Sequence, residues 1–127
     1  MTYGDKRRLF SKLFAELILW AVEQGYEVAI DDVKAHDGHM RNSLHYLGLA
    51  GDLNLYREGK WLSKTADHTP LGTKWQSMHP LCRWGGTFGD GNHYSITHGG
   101  DHDRQMCLLL SRIQVPTAET VSHQDNN

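Results

Sequence analysis

Two histidines and two aspartates in this chain are side chains of the types that bind a metal ion and activate water. They are His45, Asp52, Asp90 and His93. Catalytic zinc takes three protein ligands from His, Asp, Glu or Cys and leaves a fourth position for water, whose pKa it lowers to about 7. A further carboxylate nearby can then act as general base. These residue types fit a hydrolytic zinc site, provided that the fold brings them together.

A turn must close the distance along the chain between His45 and Asp52. An extended segment of that length spans roughly 23 Å, so both side chains reach one ion only if the chain reverses, which Gly48 permits. Residues 49–56, "LAGDLNLY", alternate as a strand does. The predicted faces are Leu49, Gly51, Leu53 and Leu55 on one side, and Ala50, Asp52, Asn54 and Tyr56 on the other. If "HYSIT", residues 93–97, pairs beside this strand, His93 becomes the third ligand.

The N-terminal part of the chain is predicted to pack against that strand. Apolar residues at three- and four-residue spacing predict an amphipathic helix over residues 6–24, capped by Asp5 and ended at Gly25. Its polar face is mixed in sign, which favours packing on a core over a membrane surface. Residues 26–30, "YEVAI", predict a strand that leads into a polar loop.

Turn and helix signals order the middle of the chain. "REGK" at 57–60 predicts a hairpin, and Thr69 followed by Pro70 predicts a helix that Pro80 ends. Residues 82–92, "CRWGGTFGDGN", are predicted as a glycine-broken loop. Periodicity does not decide between helix and strand for residues 104–114.

Composition bounds the class of protein. A chain of 127 residues with 39% hydrophobic and 22% charged residues is one globular domain, here residues 1–115, followed by a polar tail at 116–127 that is predicted to be disordered. The formal charge of −2 disfavours nucleic-acid binding, and with it a histidine-rich metal-dependent nuclease.

Cysteine usage and the N-terminus bear on the cellular compartment. Cys82 and Cys107 have no metal or redox spacing and are expected to be free thiols. Charged residues interrupt the apolar stretch from Leu9 to Val22, so the chain is expected to have neither a signal peptide nor a membrane span, and to be cytoplasmic when made.

Two motifs carry a resemblance to a known family. "SLHYLGLAGD", Ser43 to Asp52, fits the SxHxxGxAxD signature of zinc-dependent peptidoglycan peptidases, which include D-alanyl-D-alanine carboxypeptidases and dipeptidases and bacteriophage L-alanyl-D-glutamate endolysins. Asp90 and His93 match the family's acidic residue three positions before its last zinc-binding His. The residue at this position is Asp rather than Glu, and "WGG" precedes it at 84–86. Both features resemble the L-alanyl-D-glutamate branch more than the dipeptidase branch. The resemblance spans residues 9–98.

The resemblance implies an α+β fold in which a small antiparallel sheet carries a zinc site and packs against helices. It implies Zn²⁺ as cofactor, held by His45, Asp52 and His93, with Asp90 as general base, in a metallopeptidase that hydrolyses peptidoglycan stem peptides. The family's "YRS"-type segment, whose Arg can stabilise the oxyanion, has no match here, and Arg41 is the residue expected to replace it, with Lys34 as the alternative. Three residues are expected to contact substrate: Ser43, His79 and Trp84.

The favoured activity is an L-alanyl-D-glutamate endopeptidase of the endolysin type, a bacteriolytic hydrolase that degrades the cell wall during phage-induced host cell lysis. It is expected to be a monomer that reaches the wall after release or on a phage particle. Two alternatives stay open: a D,D-carboxypeptidase acting on D-Ala-D-Ala termini, and a non-catalytic zinc-binding structural or virion module, which would have no use for Asp90.

Overall fold

The structure of the protein, a computed structural model, describes residues 1–32, 44 and 48–98. Within these ranges a small antiparallel sheet packs against helices, which confirms the expected α+β class. The helices are α1 (Tyr3–Glu23) and α2 (Thr69–Met78). The strands are β1 (Glu27–Asp32), β2 (Ala50–Arg57), β3 (Lys60–Leu62), β4 (Cys82–Trp84) and β5 (His93–Ile96). None of the described helices is long and apolar enough to cross a membrane.

Helix α1 begins earlier than the apolar periodicity predicts. Thr2 is its N-cap, because the Thr2 hydroxyl accepts the Asp5 N–H at 3.0 Å while the Asp5 carboxylate accepts the Thr2 N–H at 2.8 Å. Asp5 is therefore the third residue of a capping box, and the prediction that Asp5 is the cap itself was wrong, because Thr2 occupies that position. The helix ends at Glu23, and Gly25 has a positive φ of 95°.

Strand β2 is the centre of the sheet. β1 pairs with one edge of it, while β5 and β3 share the other edge, β5 along residues 50–52 and β3 along residues 55–57. The predicted alternation of β2 is confirmed, because Gly51 faces the helices and Asp52 pairs across with His93 on the opposite face. The core lies between the helices and that first face; its largest members are Phe10, Leu17, Leu44, Leu49, Leu53, Leu55, Leu71, Trp75, Tyr94 and Ile96.

Most local signals in the middle of the chain are confirmed. The β2–β3 hairpin turns at Glu58 and Gly59, both with positive φ, and α2 starts at Thr69. The loop predicted for residues 82–92 was wrong in its first part, because Cys82–Trp84 pairs with β5 and is therefore a strand. Cys82 is a buried free thiol, as expected. Cys107, residues 104–114 and the tail lie outside the described residues.

Gly51 is where α1 approaches the sheet most closely. A Cβ at this position would lie 2.6 Å from Cζ of the buried Phe14 ring. We expect Gly51→Ala to lower the free energy of unfolding by about 1–3 kcal/mol, since the helix or the ring must shift. Urea unfolding measures this. The control is Gly4→Ala in the first turn of α1, where the new methyl meets only ordinary contacts; equal stability of the two variants would contradict this packing.

Candidate functional site

Asp52 and His93 stand directly opposite each other on neighbouring strands. They are register partners of the antiparallel β2–β5 pair, and each side chain is only 1% exposed. His93 Nδ1 lies 3.5 Å from Asp52 Oδ1. The first part of the sequence prediction, that residues 93–97 pair beside the strand carrying Asp52, is thereby confirmed.

A tight turn connects Asp90 to His93 and fixes where β5 begins. The His93 N–H donates to the Asp90 carbonyl at 3.2 Å, and the Asp90 N–H donates to the Gly85 carbonyl at 2.9 Å. The Asn92 carbonyl accepts the Leu53 N–H at 3.0 Å, which ties the turn to β2 next to Asp52. Asp90 is 4% exposed, so the residue expected to be the general base is buried on the turn that leads to His93.

The Trp84 side chain contacts this turn and holds it in place. Its indole Nε1–H donates to the Gly91 carbonyl at 2.6 Å. The ring lies against Gly72 and Gly86, where an added Cβ would come within 2.1 and 2.2 Å of it. The described contacts of Trp84 thus give it a positioning role, while its expected contact with substrate stays a prediction.

Gly85 keeps the turn close to the sheet. A Cβ there would lie 2.3 Å from the Asp90 carbonyl oxygen and 2.9 Å from His93 Cβ. The "WGG" sequence therefore has a steric reason in this fold, because its two glycines flank the Trp84 ring and the Asp90–His93 turn.

A main-chain hydrogen bond brings Leu44 close to Leu49, just before β2, as expected for a turn at Gly48. The Leu49 N–H donates to the Leu44 carbonyl at 2.9 Å, and Gly48 has a φ of 72°. Leu44 is fully buried in the core. The predicted site residues Arg41, Ser43 and His45 lie outside the described residues.

His79 ends α2 with a contact to the main chain. Its Nδ1 accepts the Leu81 N–H at 3.1 Å, and the side chain is half-buried. This contact orders the turn after the helix. A role of His79 in substrate binding stays a prediction.

His68 is a buried polar residue that belongs to neither sequence motif. It is 3% exposed, and its Nδ1 lies 2.8 Å from the Tyr94 hydroxyl oxygen. Burial lowers the pKa of His68 to about 4, against an opposing effect of Asp67, and burial raises the pKa of Tyr94. Both rings are therefore neutral near pH 7. A histidine directly before a Thr-Pro helix start carries no local signal for this contact.

The donor set of Asp52 and His93 fits zinc. Zinc bonds of 2.0–2.1 Å in a tetrahedron separate two ligand atoms by about 3.3–3.4 Å, whereas a direct N–H···O hydrogen bond is about 2.7–3.2 Å long. The 3.5 Å separation of His93 Nδ1 and Asp52 Oδ1 is within the range of a direct His–Asp ion pair and is also compatible with two ligands of one zinc ion. Within residues 1–32, 44 and 48–98 there is no cluster of three His, Cys, Asp or Glu side chains that could hold a metal, and His45, the third expected ligand, is not among them.

The hydrogen bond of Trp84 generates a stability prediction. We expect Trp84→Phe to cost about 1–3 kcal/mol of unfolding free energy, because it leaves the buried Gly91 carbonyl without this donor. The same change should accelerate amide exchange at His93, whose N–H closes the turn. The matched control is Trp61→Phe, since Trp61 is 63% exposed; equal unfolding free energies for the two variants would refute the positioning role.

Buried His68 makes stability dependent on pH. The unfolded chain takes up a proton on this ring near pH 6.5, whereas the folded protein does so only near pH 4. The stabilisation of the folded protein that depends on a neutral His68 is complete above pH 6.5 and is lost as the pH falls towards 4. Between pH 7 and pH 5 we expect the native protein to lose about 2 kcal/mol more unfolding free energy than His68→Gln does. Urea titrations at both pH values test this, and His98→Gln, which keeps His68, should behave like the native protein.

Comparisons of the chain with protein-family models, curated proteins and solved structures find no match. The features that bear on its chemistry are the order of the two motifs, the pairing of Asp52 with His93, and the burial of Asp90 on the turn that leads into His93.

Proposed function

We propose that this protein is a zinc metallopeptidase that hydrolyses peptidoglycan stem peptides, with the bond between L-alanine and D-glutamate as its target. The observation that carries the proposal is the buried pair of Asp52 and His93, whose ligand-type atoms lie 3.5 Å apart across two paired strands. These two residues end the SxHxxGxAxD motif and the DxxH motif, so the geometry joins the two stretches of sequence on which the family resemblance rests.

The proposed metal ligands are His45, Asp52 and His93. The return of the chain from Leu44 to Leu49 supports the inclusion of His45, because it brings the main chain directly before that residue back to the start of β2. When bound, Zn²⁺ supplies a Lewis acid that polarises the scissile carbonyl and makes water acidic enough to be deprotonated near neutral pH.

Asp90 is the proposed general base. Its carboxylate accepts a proton from the attacking water and then delivers that proton to the amine of the leaving D-glutamate. Burial of Asp90 limits access of bulk water to this proton. The Gly85, Leu53 and Trp84 contacts hold the turn on which Asp90 lies, so the carboxylate does not depend on a mobile loop for its position. Arg41 is the proposed oxyanion-stabilising residue.

Digestion of purified peptidoglycan, followed by mass spectrometry of the fragments, tests the proposal. We expect a new amino terminus on D-glutamate. Release of single D-alanine residues would instead identify a D,D-carboxypeptidase. Unchanged peptides after incubation with the zinc-loaded protein would contradict both activities and leave a non-catalytic zinc-binding module.

Variants separate catalysis from metal binding. Asp90→Asn should keep bound zinc, measured by elemental analysis, and lose about 10²- to 10⁴-fold in kcat, because it removes the general base. His93→Ala should lose both zinc and activity. The control is Glu23→Gln, which removes one negative charge, as Asp90→Asn does, but at an exposed residue; it should resemble the native protein. Full activity of Asp90→Asn would refute the mechanism.

A further inference from the structure

A groove between α1 and α2 leaves apolar side chains uncovered on the outer surface of the helices. Leu19 is 60% exposed, and Trp20 and Met78 in the same groove are only half-buried. The groove has a volume of about 450 Å³, which is within the range of roughly 300–1,000 Å³ typical of sites that hold a ligand. Because the helices pack on the face of the sheet that carries Gly51, the groove lies on the side away from Asp52 and His93.

The rim of the groove carries more negative than positive charge. Glu16 and Glu23 line it from α1, and both are exposed. Glu16 has a loose pair with Lys12, whose Nζ is 4.0 Å away. Lys74 lines the groove from α2, but its Nζ lies over the Trp20 ring, 5.7 Å from the ring centre, so part of its charge is already engaged. A groove of this kind fits a segment with an apolar face and a positive charge beside it.

The chain itself contains such a segment beyond His98. Residues 104–114, "RQMCLLLSRIQ", include two arginines and no acidic residue. Asp103 precedes the segment and Pro116 follows it, and residues of these types start and stop helices. As a helix, the segment would carry four apolar residues on one face, at the spacing i, i+3, i+4 and i+7: Met106, Leu109, Leu110 and Ile113.

The position of His98 determines the direction in which the segment can enter the groove. The His98 ring centre is 5.4 Å from that of Tyr3, and its Nδ1 is 3.2 Å from Lys6 Nζ, so the described chain ends beside the start of α1. Glu16 and Glu23 lie about 15 and 26 Å further along the helix from Lys6, at 1.5 Å per residue. The chain between residues 98 and 104 spans at most about 22 Å. It therefore reaches the level of Glu16 but not that of Glu23, which requires a segment parallel to α1.

A parallel helix also matches the charges along the groove. Arg112 is about 12 Å beyond Arg104 in a helix, so it comes level with Glu23 when Arg104 is level with Glu16. In that register Arg112 stands beside the apolar face of the segment, where its guanidinium reaches the Glu23 carboxylate while the leucines meet Leu19. An extended segment would carry Arg112 about 27 Å from Arg104, past the end of the groove.

We propose that residues 104–114 form a helix that packs in the groove between α1 and α2, parallel to α1, with Leu19 under its apolar face and Arg112 paired with Glu23. The short connection to His98 gives this segment a high effective concentration at the groove, which favours it over a second molecule. The inference does not depend on the proposed peptidase activity, because the groove and the proposed metal ligands are on opposite sides of the sheet.

Amide hydrogen exchange of the full chain, followed by mass spectrometry, tests the packing. We expect residues 104–114 to exchange at least about tenfold more slowly than an unstructured chain, at every protein concentration. Leu19→Lys, which places a charge in the groove, should reduce this protection to below about threefold. The matched control is Val22→Lys on the same helix, since Val22 is 51% exposed and does not line the groove; it should leave the protection unchanged.

Reversal of the proposed ion pair tests the register. Arg112→Glu should reduce the protection about threefold or more at low ionic strength, where exposed charges are least screened. Addition of Glu23→Lys to this variant should restore most of the protection. Addition of Glu16→Lys instead should not, because Glu16 is about 10 Å away along α1.

Several results would overturn the proposal. These are exchange of residues 104–114 at the rate of an unstructured chain, and protection that Leu19→Lys leaves unchanged. Protection that rises with protein concentration would assign the groove to a second copy of the chain. Equal restoration by Glu16→Lys and Glu23→Lys, or by neither, would contradict the parallel register.

Discussion

The register between β2 and β5 is the constraint on which the rest of the site depends. Antiparallel pairing places Asp52 opposite His93, and a slip of one residue would turn one of them to the helix side of the sheet. Two buried polar side chains facing each other across strands would be costly without a shared partner or ion. The same pairing also places Gly51 opposite Tyr94 on the helix side, so the core and the site fix one register together.

Close contact between glycine and aromatic rings maintains that register. Gly51 leaves room for the Phe14 ring, and Gly72 and Gly86 leave room for the Trp84 ring. Trp84 then reaches the Gly91 carbonyl and holds the turn from which Asp90 and His93 extend. The glycines therefore contribute through the steric room they leave, and α1, α2 and the sheet meet at distances that a Cβ would prevent.

The edge of β2 that pairs with β5 and β3 lies next to a second group of buried polar residues, in addition to Asp52 and His93. Between the two short strands the main chain of Asn92 and the buried rings of His68 and Tyr94 complete the structure where a strand is missing. Neutral histidine suits such a place, because a charged ring would be poorly solvated there.

Local sequence determined much of this protein. The alternation of residues 49–56 set the face of Asp52, Thr69 and Pro70 set the start of α2, and the glycine-flanked sequence around Asp90 already indicated a turn leading into His93, because each of these depends on neighbours in the chain. Tertiary structure alone decided that Cys82–Trp84 is a strand, that Trp84 supports the turn, and that His68 meets Tyr94. These outcomes depend on partners 7 to 26 residues away, whose approach is determined by packing and not by any local pattern.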